Sequence, residues 1–244
     1  MVFNGKVELN EGADEDMNIA VIPARGGSKR IPRKNIKLFD GRPIIYYSIK
    51  VAQDSKLFDH IIVSTDDEEI ADTAISCGAE VPFRRPYELA EDSTPTVPVM
   101  AHAVKACNEL GFYADFFCCI YPCAPFVIKH DLAAGLAQLK KIPVDFVYPV
   151  TEFPHPVQRS MYRSETGEMK FLYPEHELSR TQDLPVTYHD TGQFYWGKSS
   201  AWLGMKRMHS KGAGLVIPNW RVVDIDNEDD WKRAEIMYKS IKYQ

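Results

Sequence analysis

The sequence of 244 residues contains no apolar segment that is long enough to cross a membrane. Its longest uncharged apolar stretch, residues 116–128, contains two prolines and is well short of the roughly 20 residues that a transmembrane helix needs. Residues 1–16 lack the basic start, apolar core and cleavage site of a signal peptide. We therefore expect no membrane partner, a cytoplasmic location, and a disordered extension or tag remnant over residues 1–16.

Cysteine is scarce, and its spacing does not suit a disulfide framework or a zinc site. The chain has five cysteines, an odd number, with no C-x-x-C pair and no nearby histidine cluster. Three of them, Cys118, Cys119 and Cys123, lie in the apolar stretch of residues 116–128. This context predicts inert buried thiols in a reducing compartment and not catalytic nucleophiles.

The sequence also lacks an excess of charge of either sign. The formal net charge is −5, but the first 16 residues contain one lysine and five acidic residues, so the rest of the chain carries only about −1. A nearly neutral body gives no electrostatic reason to expect a nucleic-acid partner.

After Met17 the sequence alternates short β-branched segments with helical patterns. Residues 19–22 are apolar throughout, as expected for a strand that is buried on both faces of a parallel sheet. The predicted strands are 19–22, 60–65, 81–83, 115–121, 146–150, 193–196, 215–217 and 221–226. The predicted helices begin at Pro43 and after an N-cap at Asp66, and further helices cover 96–110, 132–139 and 229–243. The pattern predicts an α/β fold with a doubly wound, Rossmann-like, mostly parallel sheet in one domain over residues 17–244.

Residues 152–187 interrupt this alternation. The segment contains four prolines, several charges and only short amphipathic pieces. We interpret it as an inserted lobe, because its apolar content is too low to form a core of its own.

The strongest chemical signal is the segment Ile22–Asn35, which follows the first predicted strand directly and reads IPARGGSKRIPRKN. Five cations surround its glycines: Arg25, Lys29, Arg30, Arg33 and Lys34. Free backbone N–H groups at a strand-to-helix turn, together with cations, suit the phosphates of a nucleotide. The segment is neither a P-loop nor a GxGxxG motif, and an exposed basic loop is the alternative. Its position directly after a buried strand favours ligand binding.

Asp224-Ile225-Asp226 is the second signal. Alternate residues of a strand face the same way, so two carboxylates in this spacing can share one hard cation such as Mg²⁺. The alternative is a strand end followed by a helix cap.

Four segments together resemble the CMP-sialic acid synthetase group of cytidylyltransferases. They are IPARGGSKRIPRKN at 22–35, IIVSTDDEEIA at 61–71, RPYELAED at 85–92 and VVDIDNEDDW at 222–231. The resemblance implies an enzyme that binds CTP, transfers CMP to the anomeric hydroxyl of an acidic nine-carbon 2-keto sugar (a nonulosonic acid), and releases pyrophosphate. It also implies that Asp224 and Asp226 hold Mg²⁺ as a cofactor, and that the inserted lobe makes a homodimer.

The resemblance can be carried over residue by residue. It assigns these residues to nucleotide binding: Arg25, Gly26, Gly27, Ser28, Lys34, Asn35, Arg85 and Thr96. Thr96 matches in position but not in residue type. Arg25 and Lys34, with the Asp224 and Asp226 pair, are the expected catalytic residues. No general base is evident from spacing, and in-line displacement at phosphorus depends mainly on positioning and charge neutralisation.

Polar residues that suit an acidic sugar occur at the end of the insert and in the strand that follows. The candidates are Arg180, Gln182, Tyr188, His189, Asp190 and Gln193. A carboxylate needs a cation, and hydroxyl and amide groups need both donors and acceptors. The alternative is an ordinary edge strand with aromatic packing and a surface loop.

Two segments depart from the pattern of the sialic acid members. Residues 189–196 read HDTGQFYW where those members tend to have RPNGAIYI, and residues 120–126 read IYPCAPF where they tend to have LQPTSPL. Both are similar to the branch of the family that acts on pseudaminic acid. This sugar has a C9 methyl and two acylamino groups, so the branch implies a less polar pocket.

Aromatic side chains could supply that apolar surface. Phe126 is one candidate, and Phe194 and Trp196 are others. Strand alternation places Phe194 and Trp196 on one face and Gln193 and Tyr195 on the other, so only one of these pairs can face the sugar.

The leading prediction is therefore the synthesis of CMP-pseudaminic acid from CTP, with N-acetylneuraminic or legionaminic acid as alternative sugars. Two hypotheses from other classes are a non-catalytic nucleotide-sugar sensor and a basic nucleic-acid module. The Asp224 and Asp226 pair argues against the sensor, since a binder has less need of a metal. The nearly neutral charge argues against the module.

Overall fold

Eleven strands and six α-helices form between residues 16 and 242, the part of the chain that the computed structural model describes. The strands are β1 (Asn18–Pro23), β2 (Leu38–Phe39), β3 (Arg42–Pro43), β4 (His60–Ser64), β5 (Phe116–Ile120), β6 (Phe146–Glu152), β7 (Met161–Arg163), β8 (Met169–Phe171), β9 (Tyr188–Asp190), β10 (Phe194–Lys198) and β11 (Gly212–Val216). The helices are α1 (Ile45–Ser55), α2 (Glu68–Ser76), α3 (Thr96–Glu109), α4 (Lys129–Lys141), α5 (Ser199–Leu203) and α6 (Glu228–Lys242). None of these helices combines the length and apolar content that a membrane span requires.

The central sheet has the strand order β11-β6-β10-β5-β1-β4, with β9 also paired to β6. β1 runs parallel to β4 and β5, and β11 runs parallel to β6. β10 lies antiparallel between β5 and β6, with Phe194 opposite Ile120. The beginning of β10 therefore lies at the same edge of the sheet as the ends of β1 and β5. The predicted doubly wound, mostly parallel fold is confirmed.

Helices cover both faces of the sheet. On β1, Ala20 and Ile22 pack in the cluster that includes α1, α2 and α4, whereas Ile19 and Val21 pack in the cluster that includes α3 and α5. All four side chains are fully buried. This two-sided burial explains why the sequence of β1 is continuously apolar.

A third, smaller cluster holds the C-terminal part of the chain against the β2–β3 hairpin. Trp231 of α6 contacts the ring of Phe39 edge-on, with 5.6 Å between the ring centroids. Val223 and Ile225 are buried in the same cluster. Because these two residues flank Asp224, their burial fixes the acidic segment beside the loop that follows β1.

Several predicted elements differ from the structure. The N-cap of α2 is Asp67, whose side chain accepts a hydrogen bond from the Ile70 N–H at 3.0 Å, and not Asp66. The predicted strand at 81–83 does not form. The nearby β-bridge joins Ile62 to Glu80, the residue that precedes the predicted strand. The predicted strand at 221–226 is also wrong, since a 3₁₀ turn ends at Arg221 and the following residues have no ladder partner among residues 16–242.

The segment that was predicted as an inserted lobe forms the small β7–β8 hairpin and several 3₁₀ turns. None of residues 152–190 is buried. Of the predicted N-terminal extension, residues 1–15 lie outside the described part, and Asp16 forms an ion pair with Lys140 at 2.9 Å.

Candidate active site

One cavity lies at the edge of the sheet where β1 and β5 end and β10 begins. Its lining contains five cations, Arg25, Lys29, Arg30, Lys34 and Arg85, and two carboxylates, Asp224 and Asp226. Other lining residues are Ser28, Asn35, Thr96, Tyr121, Cys123, Phe126 and Gln193. The edge is the ligand-binding position of open α/β sheets, and the net positive lining suits a polyphosphate.

The glycine segment after β1 is held by the two acids that follow β4. The N–H of Gly26 donates to Asp66 at 3.1 Å. A Cβ atom at Gly26 would lie 2.6 Å from a carboxylate oxygen of Asp67, so only glycine fits this approach. Arg33 donates to both oxygens of Asp67, at 2.6 and 2.8 Å. Asp66 and Asp67 therefore hold the loop as well as the start of α2, a role that the sequence analysis missed.

Lys34 and Asn35 connect this loop to the rest of the site. Lys34 donates to the backbone carbonyl of Ile225 at 2.7 Å, and its ammonium lies 3.9 Å from Asp226. The amide of Asn35 donates to the carbonyl of Arg25 at 2.9 Å and accepts a hydrogen bond from Cys123. Lys34 lines the cavity as a cation, whereas both the donor and the acceptor of the Asn35 amide are used in hydrogen bonds that stabilise the loop.

Asp92 is the last residue of the segment RPYELAED at 85–92, and the sequence did not predict it as a site residue. Its carboxylate pairs with Arg25 and, at 2.7 Å, with Lys29. Asp92 therefore pairs with two of the cations that line the cavity. The segment at 85–92 thus supplies the partner of the loop cations as well as Arg85.

Arg85 is a buried cation in the wall of the cavity. It is 6% exposed, and it donates to the hydroxyl of Ser64 at 3.2 Å and to the Ser64 carbonyl. Burial lowers the pKa of Arg85 to about 10. These contacts leave its charge without a carboxylate hydrogen-bond partner among the described residues, and an anionic ligand in the cavity would neutralise it.

The two carboxylates of the acidic segment face this basic wall. Asp226 pairs with Arg30 at 2.9 Å. Desolvation and the neighbouring charge of Asp226 raise the pKa of Asp224 above its ordinary value. Two nearby carboxylates, of which Asp224 has the raised pKa, beside a basic loop fit a hard divalent cation. Within residues 16–242 no group of three or more acidic, histidine or cysteine side chains could hold a metal ion, so a cation here would need substrate oxygens or water to complete its ligands.

The predicted sugar residues do not all come together. Arg180 pairs with Asp183 at 2.7 Å, Tyr188 reaches Glu152 at 3.5 Å, and both are exposed. These two residues, together with Gln182 and His189, are absent from the cavity wall. Gln193 is the member of the predicted set that lines it.

Asp190 is used inside the protein, next to the cavity. Its carboxylate accepts hydrogen bonds from the Gly192 N–H at 2.8 Å and from the Tyr195 hydroxyl at 2.9 Å, and it pairs with His209 at 2.9 Å. Gly192 has a φ of 63°, which glycine adopts without strain. Asp190 therefore fixes the turn that brings Gly192 and Gln193 to the cavity.

The structure shows which side chains in and before β10 line the cavity: Gln193 does, whereas Phe194 and Trp196 do not. Phe194 and Trp196 are fully buried in the core on the α4 side of the sheet, and Trp196 donates to the carbonyl of Leu132 at 2.9 Å. They supply no surface to a ligand. Phe126 does line the cavity, so of the three residues it alone stays a candidate for apolar contact with a sugar.

Tyr121 and Thr96 close the wall between β5 and α3. Their hydroxyls lie 2.6 Å apart, and burial raises the pKa of Tyr121 to about 12. Cys118 and Cys119 are buried core thiols, whereas Cys123 reaches the cavity wall, where burial raises its pKa to about 12. All five cysteines are free thiols, and this raised pKa agrees with an inert Cys123.

Comparison with known proteins gives consistent matches. A family model described as cytidylyltransferase matches residues 19–205. A pseudaminic acid cytidylyltransferase of Campylobacter jejuni is 40% identical over 223 residues, which cover 91% of this chain and 96% of that protein. A CMP-N,N'-diacetyllegionaminic acid synthase of the same species is 34% identical and covers 90% and 94% of the two chains.

A solved structure of a CMP:2-keto-3-deoxy-manno-octonic acid synthetase complexed with CTP has a similar fold. Its TM-score is 0.68 with 12% sequence identity, and the match covers 92% of this chain and 99% of that one. At this identity the likeness concerns the fold.

Proposed function

The chain belongs to the cytidylyltransferase family, as its motifs predicted, and from this premise we propose that it transfers CMP from CTP to the anomeric hydroxyl of pseudaminic acid and releases pyrophosphate. The observation that carries the proposal is the cavity in which five cations face two carboxylates at the edge of the sheet. The 40% identity to a pseudaminic acid cytidylyltransferase over nearly the full length of both chains supports the choice of sugar.

The reaction forms a bond between the anomeric oxygen and the α-phosphorus of CTP and breaks the bond between that phosphorus and the bridging oxygen of the β-phosphate. The hydroxyl loses its proton to water, and negative charge develops on the departing pyrophosphate. Arg25, Lys29 and Lys34, which line the cavity, would neutralise this charge, and the hydrogen bond from Asn35 to the Arg25 carbonyl braces their loop. Catalysis of this kind depends on orientation and electrostatics more than on a general base.

Mg²⁺ belongs to the proposal as the cofactor. Asp224 and Asp226 would hold it, and the bound ion would withdraw charge from the phosphate oxygens during the displacement. Lys34 and Arg30, which contact Asp226, fix the position of that carboxylate within the site.

We also propose that the enzyme acts in the cytoplasm as a homodimer. Five free thiols agree with a reducing compartment. The segment of residues 152–187, which contains no buried residue, has the exposed apolar side chains through which two chains would associate.

A pyrophosphate-release assay with CTP tests the function. We expect turnover with pseudaminic acid that is far faster than with N-acetylneuraminic or N,N'-diacetyllegionaminic acid, and little turnover when UTP replaces CTP. Faster turnover with one of the other two acids would keep the chemistry and reject the sugar. Binding of CTP without pyrophosphate release from any of the three acids would support a sensor and reject the enzyme.

A further inference from the structure

We propose that the side-chain oxygen Oε1 of Gln193 is a fixed acceptor for an acylamino N–H of the sugar, and that Gln193 thereby contributes to sugar specificity. The proposal rests on the proposed function and adds the atom and the chemical group through which the sugar is recognised.

The orientation of the Gln193 amide follows from its one hydrogen bond. Its Nε2 donates to the backbone carbonyl of Arg221 at 2.8 Å. A flipped amide would place Oε1 against that carbonyl, acceptor against acceptor, so the observed orientation is the stable one. Oε1 therefore occupies a defined position.

The carbonyl that orients Gln193 is itself anchored. The guanidinium of Arg221 pairs with Asp131 at 2.6 Å, and both side chains are almost fully buried. Asp190 fixes the Gly192 turn on the other side of Gln193, through its hydrogen bond from the Gly192 N–H at 2.8 Å. Two independent contacts thus hold the residue from opposite ends.

Oε1 itself has no partner. Gln193 is only 2% exposed, and no hydrogen-bond donor among residues 16–242 reaches its Oε1. Buried polar atoms are nearly always hydrogen-bonded, and leaving one unpaired is costly. Since Gln193 lines the cavity, the missing donor is expected to come from the ligand.

The sheet order indicates which of the two substrates supplies the donor. The phosphate-binding loop follows β1. Arg85, assigned to the nucleotide, bonds to Ser64 of β4 on one side of β1, whereas Gln193 precedes β10, two strands away on the other side. The α-phosphate is the point at which CMP and the sugar become joined, so a nucleotide on the β4 side leaves the β10 side to the sugar.

The chemistry of a lone acceptor favours an amide N–H over a hydroxyl. An amide nitrogen donates one hydrogen bond and has no lone pair that needs a partner. A hydroxyl also brings an acceptor oxygen that needs a donor, and one of the two Nε2–H groups of Gln193 is already used by the Arg221 carbonyl. An acylamino group on the sugar is therefore the best match for Oε1.

The main test replaces Gln193 by methionine, which keeps the length of the side chain and removes the amide. We expect Gln193→Met to lower kcat/KM for pseudaminic acid by about 10- to 100-fold, with KM for CTP changed by less than about twofold. The matched control is Gln138→Met on α4, outside the cavity, which should behave like the wild type. An unchanged kcat/KM for the sugar, or a defect that appears in KM for CTP, would overturn the proposal.

A substrate-side test uses the wild-type protein and does not depend on the folding of a variant. Two analogues of pseudaminic acid are prepared, each methylated at one of its two acylamino nitrogens. We expect the wild type to lose about 10-fold or more in kcat/KM with one analogue, and Gln193→Met to lose this discrimination. Wild-type turnover of both analogues at the rate of the parent sugar rejects the proposal while leaving the proposed function intact. Absence of turnover with the parent sugar itself rejects the proposed function.

Discussion

Asp226 is the residue at which the basic loop and the acidic segment meet. It pairs with Arg30 at 2.9 Å, and the ammonium of Lys34 lies 3.9 Å from it. If it holds Mg²⁺, its replacement by an amide removes a charged ligand and also removes the carboxylate with which Arg30 and Lys34 pair. The metal dependence of the reaction should then change.

We expect Asp226→Asn to lower kcat/KM by at least about 100-fold at millimolar Mg²⁺ and to raise the Mg²⁺ concentration needed for half-maximal rate, because an amide is a much poorer ligand for a hard cation. A titration of pyrophosphate release against Mg²⁺ measures both effects. The matched control is Asp229→Asn, since Asp229 is exposed three residues further along the chain. An Asp226→Asn enzyme with the wild-type Mg²⁺ profile would show that this carboxylate has a structural role.

The basic loop that lines the cavity could be recognised in the sequence because its cations and glycines are contiguous, from Arg25 to Lys34. The role of Asp190 could not. Its partners Tyr195 and His209 lie 5 and 19 residues further along the chain and meet it only after β10 has paired with its neighbours. Strand alternation separated Gln193 from Phe194 correctly, but sheet order and helix packing decide which of these side chains reaches the cavity.

At the scale of elements, Asp67 joins helix α2 to the basic loop that follows β1, so the two form one structural unit. Asp67 caps α2 through the Ile70 N–H and also receives two hydrogen bonds from Arg33, whose φ of 55° is left-handed. The hydrogen bonds from Arg33 are the main reason that the pKa of Asp67 falls to about 2. The sequence indicated a helix start here but assigned the cap to Asp66, because two adjacent aspartates satisfy the capping preference equally.

The stability of this unit should depend on pH in a defined direction. The pKa of Asp67 is depressed in the folded state, so its contribution is present above the ordinary value of 3.8 and is lost as the pH falls towards about 2. We expect Asp67→Asn to lower the free energy of unfolding at pH 7 by about 2 kcal/mol, and expect this difference from the wild type to shrink below pH about 4.

Denaturant unfolding at a series of pH values measures this difference. Glu69→Gln is the control, since Glu69 also contacts Arg33 but its side chain is 70% exposed and its loss should have little effect. A difference between Asp67→Asn and the wild type that stays constant from pH 7 to pH 2.5 would contradict the assignment.

At the scale of the whole molecule, the sequence predicted the sheet and the place of the site because both follow from local patterns. Continuous apolar strands indicated a parallel sheet, and the end of β1 indicated the ligand edge. The short pieces at 81–83 and 221–226 were wrong as strands because a strand needs a neighbour with free backbone groups. The composition of residues 152–187 indicated that they interrupt the alternation of strands and helices. Composition alone does not predict which part of the protein this segment contacts.

The exposed apolar surface of that segment gives the last prediction. Met161, Met169 and Leu178 are 52%, 56% and 93% exposed. An apolar surface of this kind, on a segment without a buried residue, is stabilised when a second copy covers it. We therefore expect sedimentation equilibrium at micromolar concentration to give twice the mass of the 27.8 kDa chain.

A single charge among the exposed apolar residues of this segment should weaken the dimer. We expect Leu178→Asp to raise the dissociation constant by about 10-fold or more, because a carboxylate buried in an apolar interface must be desolvated without a partner. Ile236→Asp is the matched control, since Ile236 is 71% exposed on α6 and lies outside the segment. A monomeric wild type removes the dimer, and dissociation by Ile236→Asp with no effect of Leu178→Asp moves the interface from the segment to α6.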